Sequence, residues 1–306
     1  MSQDPLQIQR IHHVELWVGN ALQASYYYRR AFGFELHGYR GLETGSRQDT
    51  SFALRQNNAH LIFTAPLTDS GPVSEHVSVH GDGVRDIAFE VADADAAFAA
   101  AVERGAQPAA APHDLTSEGV TVRLASVHTY GDTLHSFISA PGGAPDLLPG
   151  FEPREDDRGA QGAGAGLLLV DHIVGNVEQG KMETWCDFYR DVLGFHRYIT
   201  FDDKDISTEF SALQSIVMSD ATQTVKFPIN EPAQGRRLSQ IQEYLNFYKG
   251  AGAQHIALLT DDIVILGIFA STQASPRASA SAAPGCRSGD CWTAISPKSQ
   301  VSSAVS

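Results

Sequence analysis

Two histidines, each within a short apolar run, are the residues of this sequence best suited to chemistry. His172 lies in "LLLVDHIVGNV" and His255 in "AQHIALLTDD". Nearly continuous Leu, Ile and Val predict buried strands. A lone histidine in such a strand usually satisfies a hydrogen bond in the core, but two histidines that open similar strands favour a shared metal ion. Imidazole suits Fe(II), Zn and Mn, and two histidines with one carboxylate form a facial ligand set typical of Fe(II).

Length and composition limit the number of domains and the possible partners of the protein. The chain has 306 residues, enough for two domains, and its 42% hydrophobic and 19% charged residues are typical of a globular protein. A formal charge of -14 without a local cluster of Lys or Arg argues against nucleic acids and anionic membranes as partners. The sequence leaves open whether copies of the chain form a homo-oligomer.

The N-terminus and the cysteines predict a cytoplasmic location. "MSQDPLQIQR" contains no apolar segment of the kind a secretory signal requires. Three cysteines do not make a disulfide framework, and they have no neighbours with zinc-site spacing.

An internal repeat organises the elements that must position the histidines. "IHHVELWVGNALQASYYYRRAFGFEL" and "LVDHIVGNVEQGKMETWCDFYRDVLGFHRYI" share a strand, an aromatic-rich helix and a Gly-Phe before the next strand. The repeat sets His13 opposite His172 and Asp86 opposite His255. Between the halves lies a segment rich in Gly, Pro and charge, which predicts a linker. The pattern predicts duplicated α+β domains with mixed sheets.

Four motifs of the second half resemble the 4-hydroxyphenylpyruvate dioxygenase family of the vicinal-oxygen-chelate fold. They are "DHIVGNV", "FPINEPA", "SQIQEYL" and "QHIALLTDDI", in that order, within a resemblance from about Ile11 to Ile263. The resemblance implies paired βαβββ modules, with a non-catalytic N-terminal domain over 1–145, a linker over 146–166 and a catalytic domain over 167–265. It also implies Fe(II) as cofactor and O2 and an α-keto acid as substrates. The expected reaction is conversion of 4-hydroxyphenylpyruvate to homogentisate in tyrosine breakdown.

The resemblance also assigns individual residues. His172 and His255 match the iron-binding histidines of the family. The matches to residues that line its substrate pocket are Ser215, Asn230, Gln240, Gln254, Val174 and Pro228. Without the motifs, Ser215 would be an ordinary strand hydroxyl, Gln240 a residue at the start of a helix, and Asn230 a turn residue beside proline.

The sequence departs from the family pattern after His255. The family has a glutamate there as its third iron ligand, whereas the only carboxylates that follow in this sequence are those of Asp261, Asp262 and Asp290. The first two are expected to cap a helix. Residues 266–306 are Ser/Ala-rich without periodicity, which predicts a disordered tail, and a frameshift between 263 and 266 would explain the change. The second domain would then be incomplete and prone to aggregation.

Three alternatives follow from the same residues. 4-Hydroxymandelate synthase shares the fold, metal and substrate, although its usual sequence lacks the Pro-Ile-Asn of "FPINEP", so that Pro228 and Asn230 favour formation of homogentisate. A non-catalytic protein that binds a small molecule on the same fold would need no glutamate ligand. A third alternative is a site in the first half at His13 and Asp86.

Overall fold

The structure is a computed structural model of the chain. It describes residues 4–154, 166–201, 213–233, 238–261 and 291–295. Asp262, Asp290 and the proposed frameshift at 263–266 lie outside these residues. Among the described residues, no helix combines the length and the hydropathy that crossing a bilayer requires.

The described part of the first half contains nine strands and three α-helices. In chain order they are β1 (Ile8–Trp17), α1 (Ala21–Phe32), β2 (Glu35–Arg40), β3 (Asp49–Gln56), β4 (Ala59–Pro66), α2 (Pro72–His80), β5 (Gly83–Val91), α3 (Ala94–Glu103), β6 (Pro108–Ser117), β7 (Val120–His128), β8 (Leu134–Ser139) and β9 (Glu152–Pro153).

The described part of the second half repeats this plan with fewer strands. Its elements are β10 (Leu167–Asn176), α4 (Met182–Asp191), β11 (His196–Phe201), β12 (Leu213–Ser219), β13 (Lys226–Pro232), α5 (Gln240–Tyr248), β14 (Gly252–Thr260) and β15 (Cys291–Ile295).

The strands form two mixed sheets, and this confirms the α+β class. One sheet has the order β6-β7-β8-β5-β1-β4-β3-β2-β9, and the other has β11-β12-β13-β10-β14-β15. β1 pairs with β4, β5 with β8 and β10 with β13 in parallel. The neighbours β12 and β13 are antiparallel. Since a parallel pair needs a crossover connection, each of these pairs is completed by elements that lie between its strands in the sequence.

Local sequence explains where the helices begin and end. The side chains of Asn20, Asp93 and Ser239 each accept a hydrogen bond from a backbone N–H in the first turn of α1, α3 and α5, respectively. Such caps satisfy backbone donors that the helix itself leaves open. Gly33 ends α1 with a φ of 71°, a backbone conformation that a residue without Cβ adopts at little cost. At the end of α5, Lys249 adopts the corresponding left-handed conformation, with a φ of 61°.

Several elements lie where the sequence pattern indicated none. Within the predicted linker, β9 pairs with β2. Within the predicted tail, β15 pairs antiparallel with β14, from Thr260 opposite Cys291 to Ile256 opposite Ile295. The rest of the tail lies outside the described residues.

The chain divides into two compact units. The first comprises Met1–His12, Val84–Pro145 and His172–Gln254, and the second comprises His13–Gly83, Asp146–Asp171 and His255–Ser306. Each unit draws strands from both sheets, so the sequential division into domains stays a prediction.

The core of the first unit is aromatic and surrounds a buried histidine. The ring of Tyr189 on α4 stacks on Phe227 of β13 at a centroid distance of 5.0 Å. His135 of β8 is fully buried, and its Nε2 lies 2.8 Å from the hydroxyl of Tyr189. Its Nδ1 lies 3.3 Å from the carbonyl oxygen of Ile87. A carbonyl only accepts, so Nδ1 carries the proton and the Tyr189 hydroxyl donates to Nε2.

The second unit has an apolar core of the ordinary kind. Val14, Leu61 and Phe63 are each at most 1% exposed. Tyr28 of α1 packs on Phe63 with ring centroids 4.7 Å apart. Burial of such side chains is the main favourable term in folding.

Candidate active site

In the first unit, β13, β12 and the part of β10 from His172 onwards have one apolar face, and α4 packs on it. Ile173, Phe227, Ile229, Ile216 and Met218 on these strands are all nearly inaccessible to solvent. The stacking of Tyr189 on Phe227 identifies this as the face that α4 covers.

The opposite face collects most of the residues that the sequence predicted for the site. Side chains along a strand alternate between faces, and directly paired residues share a face. Asn176 is in register with Asn230, and His172 with Lys226. Asn230 is in register with Ser215, and Pro228 with Val217. His172, Val174, Pro228, Asn230 and Ser215 therefore lie on one surface of three adjacent strands.

Burial distinguishes this surface from a solvated sheet face. Ser215 is 5%, His172 6% and Asn230 9% exposed, and Val174 is also buried. Pro228 is half-buried. Neutral amide and hydroxyl groups within an apolar surround are typical of a small-molecule site, where a few polar groups fix the orientation of the ligand.

Asn176 is a residue of this surface that the sequence prediction missed. Its side chain is completely buried, and its Oδ1 accepts a hydrogen bond of 3.4 Å from Nδ2 of Asn230. Asn176 Nδ2 and Asn230 Oδ1 are buried without a protein partner among the described residues. The available signal was the period of two along "HIVGN", which puts position 176 on the face of positions 172 and 174.

The two glutamines of the prediction lie elsewhere. Gln240 is the first residue of α5, directly after the capping Ser239, and its side chain is exposed. Gln254 is half-buried on β14. α5 packs against β13 of the same unit.

The second predicted iron ligand lies on the next strand of the sheet. His255 is half-buried on β14, which neighbours β10 in the six-stranded order. Of the three carboxylates that follow His255 in the sequence, only that of Asp261 lies within the described residues. Asp261 is exposed, and its backbone N–H donates to the carbonyl oxygen of Gly166.

The second unit contains another pair of imidazoles. His76 and His80 lie one helical turn apart on α2 and are both buried, with ring centroids 4.8 Å apart. The spacing in "HVSVH" is the only sequence signal for this pair. In the first half, His13 on β1 is 4% exposed and Asp86 on β5 is 9% exposed.

Comparison with known proteins defines the class first. The family model of the Glyoxalase/Bleomycin resistance protein/Dioxygenase superfamily matches residues 10–143 and 169–266. The two matched segments correspond to the two halves of the internal repeat. The chain therefore belongs to this superfamily, in agreement with the predicted fold.

Curated relatives then define the family within it. The chain is 47% identical over 256 residues to a 4-hydroxyphenylpyruvate dioxygenase from Dictyostelium discoideum, covering 82% of this chain and 70% of that protein. It is 46% identical over 257 residues to the enzyme from Danio rerio, covering 83% and 65%. The chain belongs to the 4-hydroxyphenylpyruvate dioxygenase family, whose members are metal-dependent dioxygenases. It spans 70% of the length of the Dictyostelium discoideum relative and 64% of that of a relative of the same name from Tetrahymena thermophila.

Solved structures of related proteins share the fold. A triple mutant of 4-hydroxymandelate synthase from Streptomyces coelicolor has a TM-score of 0.77 and 28% identity, covering 88% of this chain and 76% of that one. A fusion protein of a xylose isomerase-like TIM barrel with 4-hydroxyphenylpyruvate dioxygenase has a TM-score of 0.64 at 20% identity, covering 89% and 40%. The latter likeness concerns the fold alone.

Proposed function

We propose that the chain acts as a 4-hydroxyphenylpyruvate dioxygenase. It would convert 4-hydroxyphenylpyruvate and O2 to homogentisate and CO2 in the breakdown of tyrosine. The observation that carries the proposal is the buried row of Ser215, Asn230 and Asn176, which shares a sheet face with His172. Support also comes from relatives of that name at 43–47% identity.

His172 and His255 are the residues proposed to hold Fe(II). Imidazole is a good Fe(II) donor, and two histidines are the nitrogen ligands of the facial set that is typical of Fe(II) oxygenases. The family's glutamate has no counterpart in this sequence after His255. Bound iron would supply activation of O2 and a chelating centre for the keto acid.

The remaining residues would orient the substrate. Ser215 and Asn230 provide hydrogen bonds, and Val174 and Pro228 provide an apolar wall for the ring. Gln240 and Gln254 would add polar contacts from α5 and β14. Because all of these groups are neutral, they orient a phenol and a keto acid without adding charge beside a metal.

Anaerobic loading with Fe(II), followed by 4-hydroxyphenylpyruvate and O2, tests the proposal. We expect O2 uptake with homogentisate as the product. His172→Ala should lose both turnover and bound iron, whereas the matched variant His113→Ala, which changes an exposed histidine, should retain both. An iron-loaded chain that consumes no O2 with this substrate would refute the proposal.

The same measurements distinguish the proposed function from two alternatives. Similarity to 4-hydroxymandelate synthase at 28% identity makes hydroxymandelate the alternative product. "FPINEP", with Pro228 and Asn230, favours homogentisate, and chromatography of the product decides between them. A non-catalytic binding protein would account for the missing glutamate, and it would bind the keto acid equally well without Fe(II).

The proposal extends to the organisation and the location of the protein. We assign catalysis to residues 167–265 and a non-catalytic role to 1–145, because the four family motifs lie in the second half. Residues 146–166 would link the two, and 266–306 would form a divergent tail. A cytoplasmic location is supported by the absence of a disulfide framework in the sequence, and Cys186 is a free thiol.

A further inference from the structure

Two buried amides, one at the end of β10 and one within β13, leave one donor and one acceptor without a partner among the described residues. Asn230 donates through Nδ2 to Oδ1 of Asn176. Asn176 Nδ2 and Asn230 Oδ1 then remain without a protein partner among the described residues, although Asn176 is 0% and Asn230 9% exposed. Buried polar groups are nearly always hydrogen-bonded, so these two atoms point to a ligand.

The strand register determines on which face of the sheet the two unpaired atoms lie. Asn176 and Asn230 are paired residues of parallel strands, and Asn230 is paired with Ser215 on its other side. All three side chains therefore share the face that carries His172 and Val174. The other face of these strands packs on α4.

An unpaired donor beside an unpaired acceptor is best complemented by a ligand hydroxyl group. A hydroxyl both donates and accepts, so it can satisfy Asn230 Oδ1 and Asn176 Nδ2 together. A carboxylate only accepts and would leave Asn230 Oδ1 unsatisfied and facing a negative charge. An aromatic ring without a hydroxyl would leave both atoms unsatisfied.

From this geometry we propose that Asn176 is a positioning residue that makes the site selective for a hydroxyl group. By accepting from Asn230 Nδ2, Asn176 turns the Asn230 amide so that its oxygen faces the site. The inference rests on the proposed function and deepens it, since the hydroxyl would be the phenol of the aromatic keto acid. Selectivity for phenol over an unsubstituted ring then depends on a residue that the family motifs did not assign.

Direct binding measurements on the full chain test this role. The probes are 4-hydroxyphenylpyruvate and phenylpyruvate, which differ only in the ring hydroxyl, and the readout is the ratio of their dissociation constants by calorimetry. Sites that hydrogen-bond a buried hydroxyl discriminate strongly against its loss. We expect the wild-type chain to prefer the hydroxylated probe by at least about 10-fold.

Three variants make the test specific. Asn176→Leu removes the acceptor that holds Asn230 and should reduce the ratio to within about 3-fold of unity. Asn176→Asp keeps the acceptor for Asn230 Nδ2 but replaces the open Nδ2 donor by an oxygen, so it should retain only part of the preference and give a ratio between those of the wild type and Asn176→Leu. Asn246→Leu makes the same change at an exposed amide of α5 and should leave the ratio at its wild-type value. Circular dichroism of each variant checks that it is folded, and if Asn176→Leu does not fold, Asn176→Ala takes its place.

The outcomes separate the inference from the proposed function. A wild-type chain that binds both probes equally or binds neither overturns the inference, as does Asn176→Leu with an intact ratio. Homogentisate formation by such a wild-type chain would leave the proposed function standing. Conversely, a strong hydroxyl preference that Asn176→Leu abolishes supports the inference even when the iron-loaded chain makes no homogentisate.

Discussion

At the scale of single residues, chemical type alone made His172 a candidate for the site but did not identify Asn176. His172 was conspicuous because a histidine is unusual within an apolar strand. Asn176 was not conspicuous, because asparagine is common in the turns that follow strands. The structure shows Asn176 completely buried and bonded to Asn230. That pairing joins residues 54 positions apart, so no local pattern could predict it.

Cys186 is a second residue whose environment decides its chemistry. It is 1% exposed on α4, and burial raises the pKa of its thiol to about 12. Because the thiolate is the reactive form, we expect Cys186 to resist iodoacetamide at pH 8 in the native chain. Peptide mapping by mass spectrometry should find it modified only after unfolding in denaturant. Rapid labelling of Cys186 in native buffer would contradict this.

At the scale of elements, periodicity predicted the helices that bury apolar residues. The aromatic-rich helix of the internal repeat corresponds to α4, and the structure buries its Tyr189 fully and its Trp185 and Phe188 partly. The same reasoning missed α2, because the side chains that this helix buries are His76 and His80. It also missed β6, whose exposed, proline-bearing sequence is that of an edge strand. A pattern of apolar residues cannot predict an element that buries few of them.

Gly175 marks a close approach within the first unit. A Cβ at this position of β10 would lie 2.7 Å from Cζ of the Tyr130 ring. We expect Gly175→Ala to lower the free energy of unfolding by about 1–3 kcal/mol, because overpacking forces neighbouring groups to move. Urea denaturation measures the effect. Gly19→Ala is the control, since a Cβ there would make only ordinary contacts at 3.8 Å. Adding Tyr130→Leu should recover part of the loss, and equal losses in both glycine variants would exclude the steric explanation.

The buried His135 predicts a pH dependence of stability. Burial lowers the pKa of His135 from 6.5 to about 4, so the folded chain holds it neutral where the unfolded chain takes up a proton. Stability from this residue is therefore complete above pH 6.5 and is lost as the pH falls towards 4. The shift corresponds to a loss of about 3 kcal/mol.

Urea denaturation between pH 7 and pH 4 checks this expectation. His135→Gln should have a smaller dependence on pH than the wild type, since glutamine can bond to Ile87 and Tyr189 without taking up a proton. His113→Gln, at an exposed position of β6, should behave as the wild type does. Parallel pH profiles for wild type and His135→Gln would assign the acid sensitivity to other groups.

At the scale of the whole molecule, the internal repeat was the most informative feature of the sequence. It predicted two α+β halves, and the superfamily match falls on both. The sequence did not predict that each compact unit takes strands from both sheets, because unit boundaries depend on contacts distant in sequence. It also did not predict β9, a strand of two residues that is too short to carry a pattern.

The pairing of β14 with β15 predicts how truncation affects the chain. β15 covers one edge of β14 in the six-stranded sheet. A chain that ends at residue 290 would expose that edge, and unpaired strand edges promote association. We expect it to aggregate faster by static light scattering than a chain that ends at residue 295. Equal scattering of the two would mean that β15 does not protect this edge.

The parallel pairing of β10 with β13 has a consequence for synthesis of the protein. Asn176 meets its partner only 54 residues later in the chain. At about 5–20 residues per second, the ribosome needs about 3–10 s to add those residues. During that interval the nascent β10, with its histidine already in place, has no β13 to pair with, and this leaves it open to chaperones or to wrong partners.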